Sequence, residues 1–427
     1  MQQPTNDFKQ LDPKEWKLKV QAELAGLDYN EILVGDSAEG IQIKPVYHAE
    51  DRNPEMSQPM SGTKDWKIIS EFFPNEKQDE AYLYGFLVRD ADVQTVVDLP
   101  EYLDVFYALE KPFETLAKHD FASIKNLQYL NLDPIGHLAR TGNWYFSQEE
   151  DVQQTRDILK QSTFDKAIQI DAALYQNAGA NHVQQIALAV AHGVEYLEQL
   201  GQEVAEKMYF KTAVGGNYFF EIAKLRALKK LWRLVLSAYG LEVKTPVFAE
   251  TSSRNKSLLD EYNNLIRSGL EASAAIQGKA DFVHVLSYDH LRKASVFSEE
   301  LASKQQLLLQ KEAYFDRFSD PVSGAYFIEN TTELMVKNAL ELFKHIEKNQ
   351  GFLASLEDGS IQNMVAKSAE KEQAAFDKGD LVLIGVNKFK NPLDQISPVK
   401  TEEKWQETLV LPISPKRLSE KIENANE

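Results

Sequence analysis

The sequence predicts an α/β protein whose core is a (β/α)₈ barrel, preceded by an N-terminal helical arm. Three observations lead there. Eight short apolar runs recur along the chain. Most of the gaps between them are long enough for a helix, and the later gaps show helical spacing of apolar residues. No G-x-G-x-x-G follows an early strand, which counts against an open dinucleotide-binding sheet. Strands alternating with helices imply βα units and a parallel sheet. Eight of them favour closure into a barrel over an open doubly wound sheet.

The first 60 residues fall outside this rhythm: DPKEWKLKVQAEL reads as a short amphipathic helix and HAEDRNPEMSQPMSGTKDW as linker. Candidate strands follow at 68–73 (IISEFF), 83–88 (LYGFLV), 105–109 (VFYAL), 127–132 (LQYLNL), 166–171 (KAIQID), 208–213 (MYFKTA), 246–250 (PVFAE) and 282–287 (FVHVLS). The segment 182–200 places Val183, Ile186, Ala187, Val190, Val194 and Leu197 on one helical face. The segment 217–239 repeats the pattern from Phe220 to Val235, with lysines on the other face and Gly240 as its stop. The stretch 257–277 ends at Gly278, and 331–350 carries a Val336–Leu340–Phe343–Ile346 stripe. Asn330 or Thr331 is the expected cap of that last helix, with Glu333 in its first turn. Gly215-Gly216 reads as a tight strand-to-helix turn more readily than as a phosphate cradle. The chain therefore divides into an arm and linker (1–60), a barrel (61–390) and a polar, proline-punctuated tail (391–427).

With 427 residues the chain can bury a large core. Its net charge of −18, from 47 basic and 65 acidic side chains, argues against nucleic acid or an anionic membrane as main partner. The absence of cysteine excludes disulfides, thiolate metal sites and a cysteine nucleophile. The polar start MQQPTNDFKQ has no signal core, and no run approaches the ~18 apolar residues of a membrane span. A soluble cytoplasmic protein is the expectation.

Catalytic signals are sparse. The eight histidines are scattered without H-x₃-H or H-E-x-x-H spacing, so a metal site is not expected. ETSSRNKS (250–257) has hydroxyls but no G-x-S-x-G elbow. The acidic runs EDGS and EKEQ read as solvated helix faces. What stands out is QIDAALYQNAGA (169–180): a strand end running into a tight turn, where a barrel keeps its chemistry. Its only ionisable side chains are Asp171 and Tyr175.

Several stretches resemble the methylmalonyl-CoA mutase family. GGNYFFEIAKLRALKKLW (215–232) is similar to its F-x-E-I-A-K-x-R-A helix. DEYNNLIRSGLEASAAIQGKADFVHVLSYD (260–289) resembles its D-P-[FY]-N-N…H-T-N-S-[FY]-D stretch. ASKQQLLLQKEAYFDRFSDPVSGAYFIENTTEL (302–334) and GDLVLIGVNKF (379–389) match later blocks, in family order, from about residue 169 to 390. Earlier, AEGIQIKPVYHAED (38–51) is the clearest piece. The resemblance implies a (β/α)₈ barrel that takes an acyl-CoA along its axis and is capped by an adenosylcobalamin-binding domain. It also implies a heterodimer in many bacteria, with a catalytic large subunit and a non-catalytic small one.

At the sites that the family uses, this chain differs. Active chains read G-Y-H-M-x-E-A-G-A where this one reads Ala172-Ala173-Leu174-Tyr175-Gln176-Asn177-Ala178-Gly179-Ala180. The Tyr-His pair is replaced by Ala173 and Leu174, which can supply none of the ~10²–10⁴ in rate that a positioned acid/base contributes. Where active chains read R-x-H-S-Q-T-S-G, Pro246, Phe248 and Glu250 replace arginine, histidine and glutamine, followed by Thr251-Ser252-Ser253. An ionised Glu250 at ~4 Å from a substrate carboxylate is expected to repel it by about 4 kcal/mol at an effective dielectric of about 20. H-T-N-S has become His284-Val285-Leu286-Ser287, and the substrate-covering R-G-x-Y has no counterpart before DWKIISEFF. In a looser stretch, Arg140 aligns with a substrate-binding arginine, so Arg140, Ser252 and His284 are the candidates for a residual ligand contact.

The family's cobalamin motif D-x-H-x-x-G does not occur, and the ~35 residues after the barrel are fewer than a further domain needs. No cofactor is therefore expected on this chain, and adenosylcobalamin is expected on the partner. The reading is a non-catalytic small subunit that supports a large mutase subunit, inactive alone, with its N-terminal arm wrapping the partner; a weak homodimer without the partner stays open. The main alternative is the catalytic barrel chain of a split adenosylcobalamin-dependent mutase, which should keep the Tyr-His pair and the R-G-x-Y segment. A barrel recruited to another CoA ester, or to a chaperone-like partner, is a third.

Overall fold

The computed structural model describes residues 12–51, 60, 66–74, 76–89, 99–118, 127–161, 164–292, 294–394 and 407–425. The extreme N-terminus, most of the expected linker, His119 and the tail segment 395–406 lie outside the described residues.

The chain opens with α1 (Pro13–Glu23), α2 (Tyr29–Leu33) and a two-residue antiparallel pair, β1 (Gly35–Asp36) and β2 (Gln42–Ile43). Asp12 caps α1 by accepting from the Lys14 N–H at 2.9 Å, with Pro13 at the first helical position where its missing N–H costs nothing. The barrel strands are β3 (Lys67–Glu71), β4 (Gly85–Arg89), β5 (Asp104–Ala108), β6 (Leu127–Leu132), β7 (Lys166–Asp171), β8 (Met208–Val214), β9 (Val247–Thr251) and β10 (Phe282–His284). They lie in chain order, all parallel, and β10 pairs with β3 to close the ring. Between and after them run α3 (Pro112–Lys118), α4 (Pro134–Thr141), α5 (Gln148–Gln161), α6 (Ala173–Asn177), α7 (His182–Leu200), α8 (Tyr218–Ala238), α9 (Tyr262–Gln277) and α10 (Val296–Lys311). Then come α11 (Tyr326–Lys348), α12 (Gly351–Glu357), α13 (Ser360–Lys378) and α14 (Glu420–Ala425).

All eight expected barrel strands are present within a few residues of their expected limits. Two helix starts differ. α9 begins at Tyr262 rather than 257, because Asn264 accepts from the Ser257 N–H (3.1 Å) and donates to its carbonyl (2.8 Å), tying 257–261 into a turn. α11 begins at Tyr326, five residues before the expected start. Asn330 and Thr331 therefore lie inside it, and Glu329 rather than Glu333 occupies the first turn. Glu329 accepts from the Gly324 N–H at 3.1 Å and pairs with the buried Arg226 at 3.2 Å, which anchors the added turn.

Three apolar clusters fill the described residues, the smallest of them Leu259, Phe376, Leu383, Val386 and Leu418 beside the C-terminal segment. The largest lies between strands and helices. The second, Ile69, Leu87, Phe106, Tyr129, Tyr209, Phe248 and Phe282, lies inside the barrel. Side chains alternate faces along a strand, so the residue two places on from each of these also points inward, one layer nearer the C-terminal rim. That rule puts Glu71, Arg89, Lys211, Glu250 and His284 in the rim layer, with Asp171 beside them after Gln169.

The second half of the arm folds onto this chain's own barrel. Asn181 at the head of α7 donates to Ala38 O (2.9 Å), and Asn330 donates to Asp51 O (2.7 Å). His182 sits between Glu39 (2.6 Å) and Glu221 (3.3 Å). Burial opposes its charge, but both carboxylates outweigh that and lift it to about 9. α1 buries none of its residues. Among the described residues no helix is long and apolar enough to cross a membrane.

Candidate functional site

A cavity of about 810 Å³ opens at the C-terminal rim of the barrel, where this fold carries its chemistry. Its floor is aromatic. Phe106 stacks on Tyr129 with ring centroids 4.1 Å apart and planes 5° from parallel. Phe282 meets both edge-on, at 5.1 and 5.0 Å, and Phe248 lies 5.5 Å from Phe106. Tyr209 stands edge-on to Tyr129 at 5.7 Å, its hydroxyl accepting from Gln169 Nε2 at 2.7 Å. Each such pair contributes ~0.5–1.5 kcal/mol beyond the area it buries. Below them Lys67 Nζ lies 3.8 Å from the centre of the Tyr84 ring, so cation and ring occupy the axis there too. These side chains occupy the barrel interior where the resemblance implies an acyl-CoA passage.

Ion pairs form the rim above the floor. Lys211 Nζ is 3.0 Å from Glu250 Oε1, and Glu250 Oε2 is 3.0 Å from His284 Nδ1. His284 Nε2 faces Glu299 of α10 at 3.4 Å. Glu299 in turn accepts from the Glu71 N–H at 2.9 Å, and Glu71 pairs with Arg89 at 2.6 Å. Arg140 pairs with Asp171. Burial favours the neutral forms, yet Lys211 and His284 outweigh it and hold the Glu250 carboxyl well below its usual range. Burial likewise works against His284, but hydrogen bonds and charges from Glu250 and Glu299 lift it to about 9. Lys211, Glu250, His284 and Glu299 thus form one chain of alternating basic and acidic side chains. The repulsion expected from an ionised Glu250 is opposed by these two basic side chains, each 3.0 Å from its carboxylate.

The candidate positions divide into two groups. Ala173, Leu174, Asn177, Arg140, Phe248 and Glu250 all line the cavity, and His284 is buried behind Glu250. Tyr175, Ser252, Val285 and Leu286 do not line it. Tyr175 is fully buried, its hydroxyl 2.9 Å from His192 Nδ1. His192 Nε2 lies 2.9 Å from Asp133 Oδ1, which also accepts from Tyr196 (2.6 Å) and the Gly136 N–H (2.8 Å). His192 thus has a hydrogen-bond partner at each ring nitrogen. Ser252 donates to Gln176 at 2.9 Å and accepts from the Arg254 N–H at 3.0 Å. Val285 joins the outer core, and the Leu286 N–H donates to Thr251 Oγ1 at 2.9 Å. The sequence reading missed Lys211, Arg89 and Glu71; the alternation from Tyr209, Leu87 and Ile69 was the signal that locates them.

The stretch QIDAALYQNAGA is β7 followed by the single turn of α6. Gly179 closes it at φ +98°, where an added Cβ would lie 2.5 Å from Ala369 Cβ. The contour of a working strand end is therefore kept by packing, while Ala173 and Leu174 present only apolar surface to the cavity. The C-terminal strap 407–425 lies across the same rim. The Ile413 N–H donates to Ala139 O (2.8 Å), Lys416 N–H to Asn177 O (2.9 Å) and Leu418 N–H to Arg254 O (3.0 Å). Pro415 itself lines the cavity.

Among the described residues no group of three or more His, Cys, Asp or Glu side chains could hold a metal. At the rim the charges are paired with one another, His192 and His284 each face partners at both ring nitrogens, and the strand-end turn offers methyl groups.

Residues 113–420 match the family described as methylmalonyl-CoA mutase. The chain is 34% identical over 238 residues to the methylmalonyl-CoA mutase small subunit of Porphyromonas gingivalis, covering 53% of this chain and 38% of that one. It is 30% identical over 282 residues to the small subunit of Streptomyces virginiae, covering 64% and 46%. To the large subunit of Propionibacterium freudenreichii subsp. shermanii it is 32% identical over 257 residues, covering 56% and 35%. The chain thus spans between about a third and a half of the length of these relatives. With the closed parallel barrel and the match across its greater part, the chain belongs to the methylmalonyl-CoA mutase family.

Proposed function

We propose that this chain is a non-catalytic small subunit of a heterodimeric methylmalonyl-CoA mutase. In this reading it supports a larger subunit that binds adenosylcobalamin and interconverts methylmalonyl-CoA and succinyl-CoA. The observation that carries the proposal is the filled barrel axis, above all Phe106 stacked on Tyr129 between Phe248 and Phe282. A thioester arm threaded there must displace these rings, at a loss of roughly 1.5–3 kcal/mol for each ring exposed. The rim then adds a second obstacle, because Arg89 is held by Glu71, Arg140 by Asp171 and Lys211 by Glu250.

What such a chain can contribute is a rigid, well-packed body. The split-mutase alternative requires an axis open to substrate, and the aromatic floor counts against it.

The test is purification with and without the partner. Alone, the chain is expected to show no mutase turnover with added adenosylcobalamin and to retain no corrin absorbance. Co-expressed with the large mutase chain of the same organism, it is expected to elute as a stoichiometric, active complex. Turnover by the isolated chain sinks the proposal.

A further inference from the structure

Ser253 and His290 stand on two loops at the C-terminal end of the barrel, and neither lines the rim cavity. Ser253 follows β9 by two residues and His290 follows β10 by six. Ser253 Oγ lies 3.4 Å from His290 Nε2. The other ring nitrogen, Nδ1, lies 2.9 Å from the Ser287 carbonyl oxygen. A carbonyl can only accept, so Nδ1 carries the hydrogen and Nε2 turns a lone pair to the serine. Burial, with lesser pushes from Lys256 and Arg417, outweighs the Ser287 carbonyl and Glu250 and takes the imidazole down to about 4. The ring is therefore neutral at neutral pH.

This is the arrangement of a nucleophile, a base and a group that orients the base, with a backbone carbonyl in the orienting role. Catalytic hydrogen bonds are commonly long before a substrate arrives and tighten around it. No local spacing announces the pair. ETSSRNKS has no nucleophile elbow, and the base comes from 37 positions later in the chain.

The two loops are braced against each other. The side chain of Asn264 donates to the Ser257 carbonyl (2.8 Å) and to the Tyr288 carbonyl (3.0 Å), so one amide bridges both. The Leu286 N–H donates to Thr251 Oγ1 at 2.9 Å, and the His290 N–H closes a turn onto Ser287 O at 3.2 Å. A nucleophile and base on cross-braced backbone keep their geometry without a ligand. Both residues are half-buried and keep contact with solvent.

The same loops limit the chemistry. The Ser253 N–H donates to Asn177 Oδ1 at 3.1 Å and the Arg254 N–H to Ser252 Oγ at 3.0 Å. These backbone donors flank the nucleophile, and neither is free to stabilise an oxyanion. An ester with a good leaving group reacts without that help. The alkyl ester then left on serine does not, so it persists.

We propose that Ser253 is a nucleophile served by His290, and that it accepts a single acyl group from small activated carboxylic esters. The Oγ proton passes to Nε2 as Oγ attacks the carbonyl carbon. The bond to the leaving oxygen then breaks, and the imidazolium returns the proton to that oxygen. The transfer needs no co-reactant. It is independent of the heterodimer reading, which concerns another site.

The test treats the full chain with p-nitrophenyl acetate and locates the acetyl group by peptide mass spectrometry. A burst of about one equivalent of nitrophenol is expected, with the acetyl group on Ser253 and slow release afterwards. Ser253→Ala is expected to abolish the burst. His290→Gln is expected to keep the circular dichroism spectrum of the parent and to slow acetylation by about a hundredfold or more. If His290→Gln does not fold, the pH profile of the parent decides. Its acetylation rate is expected to be level from about pH 5.5 to 8, because the base stays neutral throughout. A rate that climbs about tenfold per pH unit marks hydroxide acting on an ordinary hydroxyl, and overturns the proposal. Acetylation confined to lysines or to other serines overturns it, and so does an unchanged rate in folded His290→Gln.

Discussion

Glu250 Oε2 lies 3.0 Å from His284 Nδ1, directly across the β9–β10 pair. The two residues are register partners on adjacent parallel strands, so the fold itself holds the contact in place. The carboxylate is shared with Lys211 on the strand to the other side. One glutamate therefore neutralises cations from two neighbours, and the rim of the barrel is joined by charge as well as by backbone hydrogen bonds.

This arrangement gives the protein a pH-dependent stability. His284 is lifted from 6.5 to about 9, as is His182 between Glu39 and Glu221. A raised imidazole stabilises the fold fully below its unfolded value, and the gain is lost as pH rises towards about 9. In that window the native state holds protons that the unfolded chain has released. Stability is expected to fall with rising pH by up to about 1.4 kcal/mol per pH unit for each imidazole. Urea titrations between pH 6 and about 9.5 check the slope, and His284→Gln is expected to remove roughly half of it. An unchanged slope in that variant shows that the rim pair does not carry the linkage.

Removing the carboxylate is expected to cost more than removing either cation. Glu250→Ala leaves Lys211 without its counter-charge, beside a His284 that keeps only Glu299. Breaking a buried pair from one side costs ~3–5 kcal/mol. The midpoint of chemical denaturation reports it. A loss no larger than that of an exposed pair, about 0–1 kcal/mol, shows that water reaches the rim and screens it.

The aromatic floor makes a separate prediction. Phe106→Ala removes the ring that touches Tyr129, Phe248 and Phe282 and leaves a cavity inside the barrel. The expected cost is ~3–5 kcal/mol. No turnover is expected to appear, because Ala173 and Leu174 still stand at the strand end. Calorimetry with an acyl-CoA checks whether the enlarged space admits a thioester. Catalysis by Phe106→Ala alone counts against the view that the strand end has lost its chemistry.

Much of this could be read in the sequence, for identifiable reasons. Barrel strands buried on both faces read as short apolar runs, so runs such as KAIQID and MYFKTA marked all eight. The apolar replacements Ala173, Leu174 and Phe248 were legible because they sit at strand ends. Two things were not legible. The state of Glu250 depends on Lys211, 39 positions away in the chain and brought near only by the β8–β9 pairing. The direction of Tyr175 depends on α6 being helical, which turns its side chain away from the cavity towards His192 of α7. Neither follows from local spacing. The start of α11 was misplaced for a similar reason: the partner of Glu329 is Arg226, on a helix more than a hundred residues earlier.

Tyr175 illustrates how position and role separate. It lies in the strand-end turn beside Ala173 and Leu174, yet its hydroxyl serves a buried network of His192, Asp133 and Tyr196. Tyr175→Phe leaves His192 Nδ1 buried without its partner. The expected effect is a loss of ~1–3 kcal/mol in stability. Activity of the assembled complex is expected to be unchanged at temperatures where the variant is folded. A selective loss of activity with stability intact assigns the hydroxyl to the cavity instead.

The C-terminal strap is held by a second acid–base cluster, and the cluster explains why a polar segment stays down. Glu423 Oε1 accepts from Ser257 Oγ (2.8 Å) and the Leu258 N–H (2.9 Å), and Arg417 pairs with its other oxygen at 2.7 Å. Val410, Ile413 and Leu418 are buried beneath the strap, so its sequence is polar on average while its contacts are not. Because the strap closes one side of the cavity through Pro415, loosening it should open the rim without unfolding the barrel. Glu423→Ala leaves Arg417 without its main partner and two donors unsatisfied, a cost of ~1–3 kcal/mol in the local opening equilibrium. Cleavage by trypsin after Lys416 and Arg417 is then expected to accelerate by about tenfold to a hundredfold, since cleavage of a rapidly reclosing segment tracks its open population. Barrel melting should shift far less. If cleavage keeps its original rate, the strap is held by its apolar contacts alone. If the barrel melts together with the strap, the strap belongs to the global folding unit and does not act as a separate cover.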